Sequence, residues 1–118
     1  MRDFRKLSVW QKSHELTLAV YKSTTSFPKE ELYGLTSQMR RCSSSVPSNI
    51  AEGCGRNTQS QLAHFLNIAM GSASELEYQL ILSKDLRFIS HQIFKEQTSQ
   101  VTEIKRMLTS LHQKVTND

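Results

Sequence analysis

The sequence predicts an all-α protein, an antiparallel up-and-down four-helix bundle. Three observations carry this. Apolar residues recur at three-, four- and seven-residue steps through four long segments. Only 4 Gly and 2 Pro occur in 118 residues, too few for the turns of an all-β sandwich. The connections between the segments are short, which favours antiparallel neighbours. The length fits one domain spanning residues 1–118, and 37% hydrophobic residues supply one core with little apolar surplus.

The first helix is expected over 8–26. Ser8 is a good N-cap, Val9, Leu16, Val20 and Phe27 form the stripe, and Pro28 ends it, because the residue before a proline is pushed out of helical space. The second is expected over 30–53, starting between Lys29 and Leu32 with Glu30 and Glu31 at the positive end of the helix dipole. Its stripe is Leu32, Leu35, Met39, Cys42, Val46, Ile50 and Gly53. Pro47 lies inside that stripe, so it predicts a kink near 43–46 and not a stop. Gly53 and Gly55 supply the C-terminal stop.

The third helix is expected over 59–87, capped by Thr58 or Ser60, with Leu62, Phe65, Leu66, Ala69, Ala73, Leu76 and Leu80 on its core side. Lys84 and Arg87 suit its negative end. The fourth is expected over 90–115. Ser90 is its N-cap, and Ile93, Val101, Ile104, Leu108, Leu111 and Val115 make a bundle seam. The third helix carries a second apolar face as well: Ile68, Tyr78 and Leu82 lie opposite the core stripe, with Gly71 and Glu75 between them. A helix apolar on two sides has two things to pack against, so this face predicts a homo-oligomer.

The motifs of common bundle enzymes are missing. A carboxylate-bridged di-metal site needs Glu-x-x-His on two helices, and no glutamate stands three residues before a histidine. His14, His64, His91 and His112 never pair at i, i+4, and no phosphate loop, dinucleotide fingerprint or nucleophile elbow occurs. The expectation is no catalytic residue, no metal and no cofactor. Cys42 and Cys54 stand twelve apart, on the second predicted helix and at its end, about 18 Å along a helix and beyond disulfide reach. They read as reduced thiols of a cytoplasmic protein. No apolar run has membrane-spanning length, and the N-terminus lacks the apolar core of a signal peptide.

Two polar features remain. On the second helix Arg41, Ser45, Ser48 and Glu52 share one face, with Asn49 on the core stripe. They read as an inter-helix or inter-subunit salt-bridge network involving Glu75, or alternatively as a binding cleft. The net charge of +4 gives a mildly basic surface. Its candidate nucleic-acid contacts are Arg2, Arg5, Lys6, Lys12, Arg40, Arg56, Lys84 and Arg87, with Lys105 and Arg106 further along.

Several strings together resemble a known family. They are Leu7-Ser8-Val9-Trp10-Gln11, Phe27-Pro28, and the run from Tyr33-Gly34-Leu35 to Met39-Arg40-Arg41. Ser45-Val46-Pro47-Ser48-Asn49-Ile50-Ala51-Glu52-Gly53 with Arg56 follows, then Phe65 to Ser72 with Glu75 and Glu77. The chain is similar, over roughly residues 3 to 89, to the four-helix-bundle proteins encoded in intervening sequences of bacterial large-subunit ribosomal RNA genes. Cys42 departs mildly from the small residue usual at its position. The resemblance implies an antiparallel four-helix bundle assembled as a homopentameric ring, and no assigned biochemical activity. A related group, the accessory proteins of diversity-generating retroelements, forms more strongly basic pentameric barrels that bind RNA and a reverse transcriptase. The resulting expectation is a non-enzymatic oligomeric scaffold that binds RNA or a ribonucleoprotein partner through basic surfaces, with no membrane contact. The alternative is a protein-binding adaptor that makes no nucleic-acid contact.

Overall fold

The structure is a computed structural model that describes residues 2–117. Four helices, α1 (Ser8–Thr24), α2 (Leu35–Cys54), α3 (Gln59–Asp85) and α4 (His91–Asn117), pack around one core. Each helix lies beside its neighbour in sequence, and α1 closes the square onto α4. The cross-contacts run in opposite senses. Thr17 meets Ser43 and Thr24 meets Arg40, while Ser45 meets Ser72 and Met39 meets Ser83. Lys105 meets Glu77, and Lys12 meets Glu103. All four neighbouring pairs are therefore antiparallel, and the bundle is 45 Å long.

The core consists of the predicted stripes. Val20, Met39, Ile50, Ala69, Leu76, Leu80, Val101 and Leu108 lose essentially all solvent contact. Burying a Leu, Ile or Met contributes about 1.5–3 kcal/mol each, which makes this seam the main source of stability. At one end the Phe27 and Phe88 rings meet at a tilt of 54° with centroids 5.4 Å apart, tying the α1–α2 connection to the α3–α4 connection.

Helix ends depart from expectation in informative ways. Ser8 is the first helical residue, and Leu7 takes the cap position without a side-chain bond. A 3₁₀ turn over Phe4–Lys6 precedes it, capped by Asp3, whose carboxylate accepts from the Arg5 N–H. Helix α1 stops at Thr24, two residues early, where Thr24 and Thr25 hydroxyls bond back to the carbonyls of the last turn. Helix α2 begins at Leu35 and not near Leu32. Lys29–Glu31 forms a separate 3₁₀ turn, Leu32 is exposed, and the Glu31 carboxylate reaches forward to cap the Leu35 N–H at 3.1 Å. Thr58 and Ser90 cap α3 and α4 as expected. Helix α3 ends at Asp85, because Arg87 adopts a left-handed backbone (φ 64). The Phe88 N–H then bonds the Ser83 carbonyl, and the Arg87 N–H the Lys84 carbonyl, a Schellman closure usually built with glycine.

Helix α2 continues through Pro47. Proline has no N–H, so the Ser43 carbonyl one turn earlier loses its intrahelical partner. The Thr17 hydroxyl of α1 reaches that carbonyl at 2.9 Å inside the α1–α2 contact, sharing its one proton with the Ser13 carbonyl one turn back in α1, also at 2.9 Å. A buried acceptor left unpaired costs about 1–3 kcal/mol. Thr17→Val should therefore lower unfolding free energy by about that amount in urea denaturation. In a Pro47→Ala background the same change should cost clearly less, because the restored N–H takes the Ser43 carbonyl. Equal costs in both backgrounds would contradict this role for Thr17.

Candidate functional site

The polar residues of α2 and α3 meet along one edge of the bundle. Arg41, Ser48 and Glu52 are exposed on α2, and Ser45 is half-buried beside α3. Ser45 and Ser72 share a hydroxyl hydrogen bond of 2.8 Å. Asn49 is half-buried and not deep in the core. Its side-chain amide donates to the Ser45 carbonyl and hydroxyl, so it steadies the Ser45–Ser72 link. No ion-pair network joins Arg41, Glu52 and Glu75 within the described chain. Glu52 pairs instead with Arg56 one turn on, at 3.2 Å. Arg41 and Glu75 line an open cleft of about 290 Å³ with Gln38, Cys42, Ser45 and Ser72.

That cleft holds the one partly accessible thiol. Burial pushes the Cys42 thiol up from its ordinary range, and the Glu75 carboxylate beside it pushes the same way. Gln79 donates a weak 3.5 Å contact to its sulfur. Burial likewise raises Cys54. A nucleophilic cysteine needs its thiolate favoured, and both thiols are tuned the other way. Among the described residues no three His, Cys, Asp or Glu side chains come close enough to hold a metal ion.

The second face of α3 is partly as expected. Ile68 and Tyr78 stand 40% and 59% exposed, with exposed Gly71 and Glu75 between them. Nothing stands within 4 Å of where a Gly71 Cβ would sit, so that stretch of helix is open to approach. Leu82 belongs elsewhere: it is half-buried and packs onto the core, and exposed Ile81 follows Tyr78 instead.

The expected nucleic-acid contacts do not form one patch. Arg2, Arg5, Lys6 and Arg56 gather at the end holding the start of α1 and the turn between α2 and α3. Lys84 and Arg87 lie at the opposite end of the 45 Å axis, Lys84 beside Asp85 and with its ammonium over the Phe94 ring. Lys12 is committed to Glu103 at 2.8 Å, which raises the lysine and lowers the carboxyl. Arg40 donates to Thr24 Oγ1 and lies over the Tyr21 ring.

The first end is the basic one. Arg2, Arg5, Lys6, Arg56, Arg106 and Lys114 lie toward it against Asp3 and Glu52, while the remaining described residues are nearly balanced in charge. Arg2 and Arg56 share a cleft there of about 250 Å³ with Asn57, Thr58 and Gln59. Sequence reasoning missed a second feature, a groove of about 480 Å³ between α1 and α2 lined by Phe4, Trp10, His14, Leu18, Tyr21 and Pro47. Leu18 and Tyr21, large side chains three residues apart on α1 and off its core stripe, were its only signal.

Comparison with known families matches residues 5–110 to the one described as 23S rRNA-intervening sequence protein. The chain belongs to that family. Among solved structures it is similar to a protein of unknown function from the S23 ribosomal protein family of Bacteroides thetaiotaomicron VPI-5482. The two are 27% identical, with a TM-score of 0.79 over 89% of this chain and 95% of the other. No curated protein matches significantly. No enzyme family is indicated by these relatives, and among the described residues no helix is long and apolar enough to cross a membrane. This family member should show sluggish thiols. Native Cys42 should react with iodoacetamide at neutral pH well below the rate of a free cysteine, and Glu75→Gln should speed it by removing the neighbouring negative charge. A native rate above that of free cysteine, read by mass spectrometry, would contradict the assignment.

Proposed function

We propose that the protein is a non-enzymatic oligomeric scaffold of the cytoplasm that binds RNA, or RNA within a ribonucleoprotein, through the basic end of the bundle. The observation that carries this is the segregation of charge. Among the described residues six cations face two carboxylates at one end, and phosphate recognition needs cations on a common surface. The family's link to ribosomal RNA intervening sequences points the same way. Self-association is supported by Ile68 and Tyr78, large apolar side chains left open beside Gly71 on a helix whose core face is already filled. A closed ring, the homopentamer that the family resemblance implies, would repeat each basic end around its axis and multiply the local field.

Two measurements test the two halves. A labelled RNA hairpin with single-stranded flanks should bind at low salt, with affinity falling steeply as salt rises. Arg2→Glu with Arg56→Glu should weaken binding strongly, and Lys84→Glu with Arg87→Glu should weaken it far less. Absence of binding at low ionic strength overturns the RNA half and leaves the adaptor reading. Light scattering should give a mass well above the 13.5 kDa of one chain, reduced by Ile68→Glu with Tyr78→Glu. A single-chain mass at micromolar concentration overturns the oligomer.

A further inference from the structure

The groove between α1 and α2 is unlike the other surfaces of the bundle. Three aromatic residues of the first two turns sit together. Phe4 meets the edge of Trp10 at 5.0 Å, and His14 stacks on Trp10 with the ring planes 7° apart. His14 is exposed, so its outer face is a flat platform open to solvent. Eleven residues along α1 from Trp10, about 16 Å at the helical rise, Tyr21 stands 44% exposed. The far wall comes from α2 and is low: Ser44, Pro47, Ser48 and Ala51 leave the rings uncovered and offer two hydroxyls.

The charged groups that lie over the rings of this groove are guanidinium groups. Among the described residues no carboxylate lines it. At one end the Arg5 guanidinium lies 5.4 Å over the Phe4 ring, and at the other the Arg40 guanidinium lies 4.9 Å over Tyr21. The nearby carboxylate of Asp3 is held by Arg5. The groove also opens toward the basic end, where Arg2, Lys6 and Arg56 lie.

Exposed aromatic rings, flanking arginines and a lining free of acids are what unpaired bases on a phosphate chain require. Bases stack on aromatic faces while cations follow the backbone. A partner helix would need only apolar contact, and an acidic peptide would gain nothing from the flat His14 ring. We propose that the α1–α2 groove binds single-stranded RNA, with unpaired bases stacked on His14 over Trp10 and on Tyr21. The phosphate backbone runs past Arg5 and Arg40. The stacking is indifferent to base identity, because every base presents a π-face. This inference rests on the RNA reading above and narrows it from RNA in general to unpaired strands.

Trp10 is the only tryptophan in the chain and lies in the groove, so the protein carries its own reporter. A single-stranded oligoadenylate ten nucleotides long should quench Trp10 fluorescence at low salt and bind at least about tenfold tighter than an RNA duplex of equal length. His14→Ala and Tyr21→Leu alter exposed side chains, so the fold should keep its melting temperature. Each should weaken single-strand binding by about fivefold or more and leave duplex binding unchanged. Equal binding of both RNAs with unchanged Trp10 emission, still abolished by Arg2→Glu with Arg56→Glu, overturns the groove and keeps the RNA reading. No binding of either RNA overturns both. Trp10 emission that shifts with protein concentration but not with RNA places a second copy in the groove and overturns the inference.

Discussion

The bundle depends on carrying α2 through Pro47. A proline in mid-helix removes one intrahelical bond and leaves a carbonyl to be satisfied in the core, where water is excluded. Thr17 supplies the missing donor from α1, which makes the α1–α2 contact a condition of α2 being continuous. On its other side α2 is fixed to α3 by the Ser45–Ser72 bond and by close approach at Gly53. A Cβ at Gly53 would come within 3.0 Å of Leu62 and Phe65 side-chain carbons, so α3 could not start where it does beside a larger residue. Helix α2 thus sets the spacing of both of its neighbours, and α4 completes the square.

The same constraint shapes the outer surface. Between α1 and α2 the residues of α2 that line the groove are Ser44, Pro47, Ser48 and Ala51, all small. The helix can pass its proline there, but it cannot cover the large rings that α1 presents. The groove is therefore a consequence of how α2 was accommodated. Its chemistry differs from that of the α2–α3 cleft, where the Cys42 thiol is suppressed by burial and by Glu75. One edge of the molecule holds a quiet thiol among polar side chains, and the other holds open rings beside cations.

Much of this was legible in the sequence because it rests on periodicity and local chemistry. The core stripes of α3 and α4, and the caps Thr58 and Ser90, follow from spacing and from oxygen-bearing side chains at helix starts. The start of α2 was not legible. Leu32 fits the stripe by spacing, yet the chain folds a 3₁₀ turn first and Glu31 caps from four residues upstream, a pattern outside the usual Ser, Thr, Asp and Asn signals. Asn49 and Leu82 were misplaced for a related reason. Position on a helical wheel gives direction, and depth depends on where neighbouring helices end. The groove was the hardest to see, because Phe4 and Trp10 are apolar by type and Pro47 reads only as a helix disruption. Pairing two helices decides which rings stay open, and no single segment encodes that.

On the proposed reading, function in this family member belongs to the surface that α1 and α2 create at the basic end, not to the interior. Hydrogen–deuterium exchange with and without a single-stranded RNA tests it most directly. The account predicts added protection within residues 4–21 and 44–56, and little change in the outer face of α4. Protection confined to α3 and α4, with residues 4–21 unaltered at saturating RNA, would contradict it.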